Sequence, residues 1–511
     1  MIYDDFLYDD FPFRTTHVDI LATLAGFFGL DPAPPERCRV LELGAGLGGN
    51  LLGMAVALPD SHFVGMDLSV RQVAHARAEV EAMGITNAEF FAGDILELGP
   101  SLGRFDYIIC HGVWSWVPEA VRTAIFRLCR ELLMPQGVAF ISYNCMPGWS
   151  FRGVLRQLLL RNVPAEGPPE QRAAAARRYL EALYAHAPVN RSMAARVIRN
   201  EIELIRPLSD RYLFHEHLAE ENHPVWFRDF MAQAAAHDLQ YLGDAELHSM
   251  MPDRYGPEAE SWLRRDQPDL LTLESRLDEL GPRYFRRTLL CHAEATLDRR
   301  ISTDRIAGHW VTAALDPHTE AVDLEAGVQA AFTAPDGFVI STTEPILKAA
   351  LACLHDEQPR GLPLETLAAA ACARLGKGMT NDDVLSLGSS LLELLAQGYV
   401  EISRAAPRFV LKAGRRPRTT LLARRQAQLG REGVINQRHI SVAIDPLERA
   451  LLRSMDGKHD RGELADRVAA AVEQGEFEVQ FNNLPVTDKV VLGQVIEAKL
   501  ERLGRMALLV A

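Results

Sequence analysis

The sequence predicts an α/β protein: a Rossmann-like, mostly parallel seven-stranded sheet with a helical insertion, followed by winged-helix-like C-terminal domains. Three observations predict it. The first third alternates short apolar runs with helix-period stretches, a glycine-rich turn follows the first run, and an acid, Asp67, closes the second. That rhythm is what parallel strands joined by crossover helices require.

In chain order, the strands of the sheet are 40–43, 63–67, 89–91, 107–110 and 138–143, the first four each followed by a turn and a helical or irregular stretch. The segment "VPAEGPPE" (163–170) breaks the rhythm, and an Ala/Arg-rich region beginning "QRAAAARRYLEALYAH" makes 151–215 a helical insertion. Strand character returns in "LQYLGDAEL" (239–247) and "RRTLLCH" (286–292), the last two strands of a unit spanning 38–300. Residues 1–37 form an N-terminal lid segment and 301–340 a linker. Between 341 and 415, three helical patterns precede "YVEIS" and "RFVLKAG", read as a β-hairpin, which together make a winged-helix pattern. A basic linker, "KAGRRPRTTLLARRQ" (412–426), leads to a small helical module over 427–511.

Bulk properties narrow the class. The 511 residues exceed one ordinary core, and 48% hydrophobic with 24% charged content suits a globular protein. No apolar run approaches the roughly 20 residues of a membrane span, and the acidic, aromatic N-terminus is the reverse of a targeting peptide. Seven scattered cysteines without a C-x-x-C fit free thiols in a reducing cytoplasm. A net charge of −14 disfavours nucleic acid and favours a basic protein or a cationic amine.

The turn "VLELGAGLGGNLL" (40–52) fits two cofactors. Gly44, Gly46 and Gly49 match the G-x-G-x-x-G of nicotinamide enzymes, whereas Glu42, Gly44, Gly46 and Gly48 match the E-x-G-x-G-x-G of S-adenosylmethionine (SAM) enzymes. Asp67, placed to accept from ribose hydroxyls, serves either. Asp94, in "FFAGDILEL", is placed to accept from an adenine amino group, and "CRELLMPQGVAFISYN" enters the fifth strand through a Pro-x-Gly turn. A dehydrogenase needs neither. These features together resemble the class I SAM-dependent methyltransferases over about residues 38–145. The resemblance implies SAM as cofactor and S-adenosylhomocysteine (SAH) as product. The expected cofactor set is Glu42, Gly44, Ala45, Gly46, Asn50, Asp67, Leu68, Asp94, Ile95 and His111, with Tyr3, Tyr8 and Phe13 covering it as a lid.

A narrower resemblance extends further. "YDDFLYDDFPFRTTHVDILATLAGFFGLDPAPPERCRVLELGAG", "HGVWSWVP", "SYNCMPGW", "YLFHEHLAEENHPVWF" and "DPLERALLRSMDGKHDR" are similar to bacterial methyltransferases that carry a methyltransferase regulatory domain. The best-known members are the rickettsial-type protein-lysine methyltransferases. Lysine of a protein or peptide is therefore the leading acceptor, since the large appended domains suit one held away from the pocket; the alternatives are a small metabolite or modified peptide as acceptor, or a SAM-sensing regulator.

Methyl transfer from a sulfonium is a direct displacement that needs alignment, a free lone pair and exclusion of water. It needs no metal, and His215 and His217 are spaced two apart, without further ligands nearby. His111 follows the fourth strand and either shapes the pocket or accepts a proton. Trp114, Trp116, Tyr143 and Trp149 are expected to wall a slot for an alkyl-ammonium stem, so Trp114→Ala is expected to abolish turnover and spare cofactor affinity. Glu216 and Glu220, four apart on one helix, are expected to attract the cation. Tyr143, His111 or water takes the proton. The third helix of the winged-helix pattern, "NDDVLSLGSSLLELLAQG", carries no Lys or Arg, so it is expected to bind protein or form a homodimer rather than read DNA.

Overall fold

The computed structural model describes residues 11–481, 484–485 and 489–511. Strands Arg39–Leu43 (β1), His62–Asp67 (β2), Ala88–Ala92 (β3), Phe105–Cys110 (β4) and Leu133–Met146 (β5) run parallel. A two-residue strand, Val225–Trp226 (β6), pairs with the end of β5. Leu239–Asp244 (β7) and Phe285–His292 (β8) complete the sheet in the order β3-β2-β1-β4-β5-β8-β7, with β8 antiparallel to both neighbours.

The central strands are apolar on both pleats because helices cover both faces. Val40–Leu43 is wholly buried, and Leu41 lies between Val64 and Ile108. β5 differs from its expected extent. It begins at Leu133, and the Pro-x-Gly residues sit inside it at a register shift opposite Phe105 and Tyr107.

The helices Trp149–Asn162, Pro169–His186, Met193–Ile205 and Asp210–His217 pack on a core of their own, which includes Leu155, Leu159, Leu180, Ile202 and Phe214. Helix Asp210–His217 stops before Glu220, so Glu216 and Glu220 do not share the helix face expected of them.

The C-terminal region departs from expectation twice. Residues 301–340, read as a linker, carry strands Trp310–Ala313, Asp316–Pro317, Ala330–Thr333 and Val339–Thr342. Val400–Ser403 pairs with Trp310–Ala313, matching Ile402 to Val311, and not with "RFVLKAG". That segment forms no strand; Val410 N–H donates to Leu509 O and carries the chain into the last module. Nearest-neighbour pairing in sequence was the wrong guide because a strand 90 residues upstream supplies the better partner.

The last module holds helices Pro446–Ser454, Arg461–Glu473 and Lys489–Arg505 around Leu451, Leu452, Leu464, Ile496 and Leu503. It leans on the back of the glycine-loop side of the sheet. Arg425 grips Glu79 with two hydrogen bonds of 2.9 Å, and Arg408 Nη1 donates to Ala57 O at 3.0 Å. No helix of the described residues is long and apolar enough to cross a membrane.

Candidate active site

The glycine loop runs from β1 into helix Gly49–Ala57. The N–H groups of Gly44 and Ala45 donate to Met66 O at 2.9 and 2.8 Å, fastening the loop to the end of β2. Gly44 has φ +77°, and a Cβ there would lie 2.4 Å from Val113 Cγ2. Only glycine meets both demands. The Asp67 carboxylate accepts from Gly46 N and Ser69 N, each at 2.9 Å, so the acid that ends β2 also fixes the glycine loop and the start of the next turn.

Beside it, Leu68 is an exposed apolar side chain (51%), while Ile95 is buried. Asp94 caps the turn that follows β3 by accepting from Leu96 N at 2.9 Å. An apolar ledge flanked by two acids suits an adenosine: ring faces are apolar, whereas the ribose hydroxyls and the exocyclic amine donate.

Glu42 and Asn50 are both buried and joined by Asn50 Nδ2 donating to Glu42 Oε1 at 2.7 Å. With the amide nitrogen spent on a carboxylate, Asn50 Oδ1 faces the other way. It accepts from Phe13 N at 3.0 Å and from His439 Nε2 at 2.8 Å, and the Thr16 hydroxyl lies 3.1 Å away. The N-terminal segment and the last module thus meet on one side chain of the cofactor-loop helix. Tyr3 and Tyr8 lie outside the described residues. Phe13, next along that segment, sits with its ring 3.9 Å from the His111 ring.

His111 follows β4 and also neighbours Phe140 and Phe285, at 5.8 and 5.9 Å between ring centroids. Burial, with Arg287 nearby, pushes its pKa down to about 3. The ring is therefore neutral at physiological pH and a poor proton acceptor.

The four aromatic residues expected to form one slot divide into two groups. Trp114 and Tyr143 are core residues. Trp114 packs edge-on to Phe126 and Phe230, and Tyr143 stacks on Phe230 at 3.9 Å while its hydroxyl meets Thr288 Oγ1 at 3.0 Å. Burial raises the Tyr143 phenol well above its ordinary range. Neither the slot wall expected of both nor the proton acceptor expected of Tyr143 survives their positions: strand pleating turns Tyr143 onto Phe230, and the tight turn after β4 drops Trp114 beside it.

Trp116 and Trp149 instead meet in a T-shaped contact at 6.2 Å. Arg152 sits 5.9 Å from the Trp149 ring and 3.7 Å from the Tyr284 ring. Glu216 belongs to this neighbourhood. Burial pushes its carboxyl up to about 7, with Arg152 opposing the shift. His215 and His217 are buried, and desolvation holds His217 down to about 3.

Three groups near these side chains were not singled out from sequence: Arg152, His439, and Asn222, whose neighbour His223 donates its N–H to Ser115 O at 2.8 Å. Asn222 lies in a polar run, "EENHP", that reads locally as a solvated loop; His439 acts across 389 residues of chain, where no local pattern reports.

Family profiles match three parts of the chain: "Methyltransferase domain" over 40–137, "Predicted methyltransferase regulatory domain" over 209–292, and "PKMT, C-terminal winged helix domain" over 415–508. The structure of PKMT2 from Rickettsia typhi aligns with a TM-score of 0.88 at 30% identity, covering 99% of this chain and all of that one. Uncharacterized protein RP789 of Rickettsia prowazekii is 32% identical over 97% of this chain and 90% of its own. The chain belongs to the rickettsial-type PKMT family of SAM-dependent methyltransferases. PKMT2 has also been solved in complex with SAH, and that structure aligns with a TM-score of 0.90.

As a PKMT-family enzyme, the chain uses SAM, and the loop described above fits it. A phosphate-binding loop leaves its amides open to an anion, but here three of them are spent on Met66 O and Asp67. What remains is an acidic, hydrogen-bond-accepting rim that suits a cationic sulfonium and a ribose. The family profile also places a winged helix on 415–508, the part read from sequence as a plain helical module.

Proposed function

We propose that this enzyme methylates lysine side chains of a protein. The observation that carries the reading is the end-to-end likeness to Rickettsia typhi PKMT2, which includes the regulatory and winged-helix parts as well as the cofactor domain. Large appended modules serve a macromolecular acceptor better than a small one.

SAM supplies an electrophilic methyl group on sulfur. In the displacement, an N–C bond forms as the S–C bond breaks, sulfur keeps the bonding pair, and the nitrogen sheds a proton. The protein's share is binding, alignment and drying. Asp67 takes the ribose hydroxyls, Asp94 the adenine amine, and Leu68 with Ile95 the ring faces. Glu42 acts through Asn50, whose amide it orients, and Phe13 covers the His111 side of the loop. Trp116, Trp149 and Tyr284 supply aromatic surface for the alkyl stem, and Glu216 draws in its positive end.

An unperturbed lysine titrates near 10.4, so it must lose its proton before attack. Desolvation among aromatic rings lowers that value, and water carries the proton away, since His111 is too weak a base and Tyr143 is enclosed.

The test is transfer of labelled methyl from SAM into a lysate of the native cell, separated by size and followed by acid hydrolysis. Label recovered in methyl-lysines of protein bands is the expected result. Label confined to small molecules overturns the reading.

A further inference from the structure

A set of buried polar atoms lies around the loop after β4 with no hydrogen-bond partner among the described residues: His111 Nδ1, Asn144 Nδ2, and both Nδ2 and Oδ1 of Asn222. Leaving such atoms unpaired costs stability, and most proteins avoid it. Several in one place point to a ligand that pairs with them.

They converge. Asn144 and Phe285 are register partners in the β5–β8 ladder, so their side chains leave the sheet on one face. The His111 ring neighbours Phe285 and Phe140, and Phe140 precedes Asn144 by two full pleats on that face. Ser115 joins Asn222 to the group: its hydroxyl accepts from Asn144 N at 2.8 Å, and its carbonyl accepts from His223 N at 2.8 Å. This is the carboxyl edge of β4 and β5, where open α/β sheets take their ligands.

The chemistry of the set is selective. Its members are neutral amides and an imidazole, not carboxylates. A carboxylate against an ammonium ion would stabilise the charge and hold the proton on. A neutral amide oxygen accepts an N–H without that penalty, and a neutral amine with its N–H groups held keeps one direction free for its lone pair.

We propose that Asn222 holds the acceptor nitrogen, its Oδ1 accepting one of the amine's N–H groups and so fixing the direction of the lone pair. The inference rests on the amine-methylation reading above and names the side chain that would do the aligning.

The test needs no knowledge of the acceptor. Sinefungin carries a primary amine where SAM carries its methyl, and SAH carries nothing there. Calorimetric titration of the full chain with each ligand is expected to show that Asn222→Ala weakens sinefungin about tenfold and leaves SAH affinity unchanged. Asn222→Asp restores or exceeds the original sinefungin affinity through its charge. The melting temperature of Asn222→Ala stays at the parent value, because the amide pairs with nothing among the described residues. If both ligands weaken in equal proportion, or if neither does, the proposal is wrong. A lost sinefungin preference with label found only in small molecules would retire the lysine reading and keep Asn222 as the amine-holding residue. An unchanged preference with label on lysine would do the opposite.

Discussion

His439 Nε2 donates to Asn50 Oδ1 at 2.8 Å, joining the hairpin Gly433–Ile435/Ser441–Ala443 of the last module to the helix that carries the cofactor loop. His439 adopts φ +58°, a left-handed conformation held by Asn436 Oδ1, which accepts from Arg438 N and Ile440 N at 2.9 and 3.0 Å. His439→Ala is expected to cost about 1–3 kcal/mol of stability and to weaken SAH binding several-fold, although the residue touches no cofactor. Calorimetric titration and urea denaturation check both. Unaltered SAH affinity would show that the contact only fastens the module.

Trp114→Ala is expected to behave as a core truncation, destabilising the fold by about 3–5 kcal/mol, because the indole packs among Phe126, Tyr143 and Phe230. Urea midpoints measure it. A variant of full stability that has lost only turnover would restore the slot role expected from sequence.

Gly44→Ala is expected to reduce SAH affinity at least tenfold, because the new Cβ meets Val113 Cγ2 at 2.4 Å and φ is +77°. Adding Val113→Ala removes the clash but not the backbone strain, so the double variant recovers part of the loss. Full recovery in the same titration would show that sterics alone exclude a side chain.

Acid is expected to weaken the fold before the ordinary carboxylates titrate. Burial holds His111, His217 and His439 down to about 3, against an unfolded value of 6.5. Between those values the unfolded chain binds more protons, so the stability these three contribute is complete above about pH 6.5 and is lost as pH falls toward 3. Glu216, raised to about 7 from 4.5, works in the opposite sense over the upper part of that window, as do Asp19, Glu201 and Glu274, which burial also raises. His17 and His248, also lowered by burial, act with the three. The urea midpoint should fall from pH 7 to pH 5, and His439→Gln should flatten the slope.

Asp67→Ala is expected to cut SAM binding severely, and by two routes: the ribose loses its acceptor, and Gly46 N and Ser69 N lose theirs. Asp67→Asn, which keeps one oxygen, should fall between. Equal affinities for the two variants would show that charge, not loop geometry, carries the effect.

What sequence made legible was the part written in local periods and spacings. β1 to β4 lie at or within a residue or two of the runs that predicted them, and the loop, Asp67 and Asp94 stand at strand ends. The misreadings share a cause. Trp114 and Tyr143 were judged by their residue type at a strand end, whereas pleat direction sent Tyr143, and the tight turn after β4 sent Trp114, into the core. "YVEIS" was paired with its neighbour in sequence, whereas its partner lies at Trp310–Ala313. Asn222 carried no signal in the sequence, because the enclosure of its amide is made by the fold around it.

Gly53 gives the tail contact a further meaning. A Cβ there would lie 2.9 Å from His439 Nδ1, so the helix of one module is hollowed by one atom group to seat the tip of another. Asn50, Gly53 and His439 are therefore heritable only as a set. A chimaera that exchanges tails between relatives must carry all three, or the foreign tip will meet either a missing acceptor or an occupied seat. The modules of this chain are separable on paper, but they are not interchangeable parts.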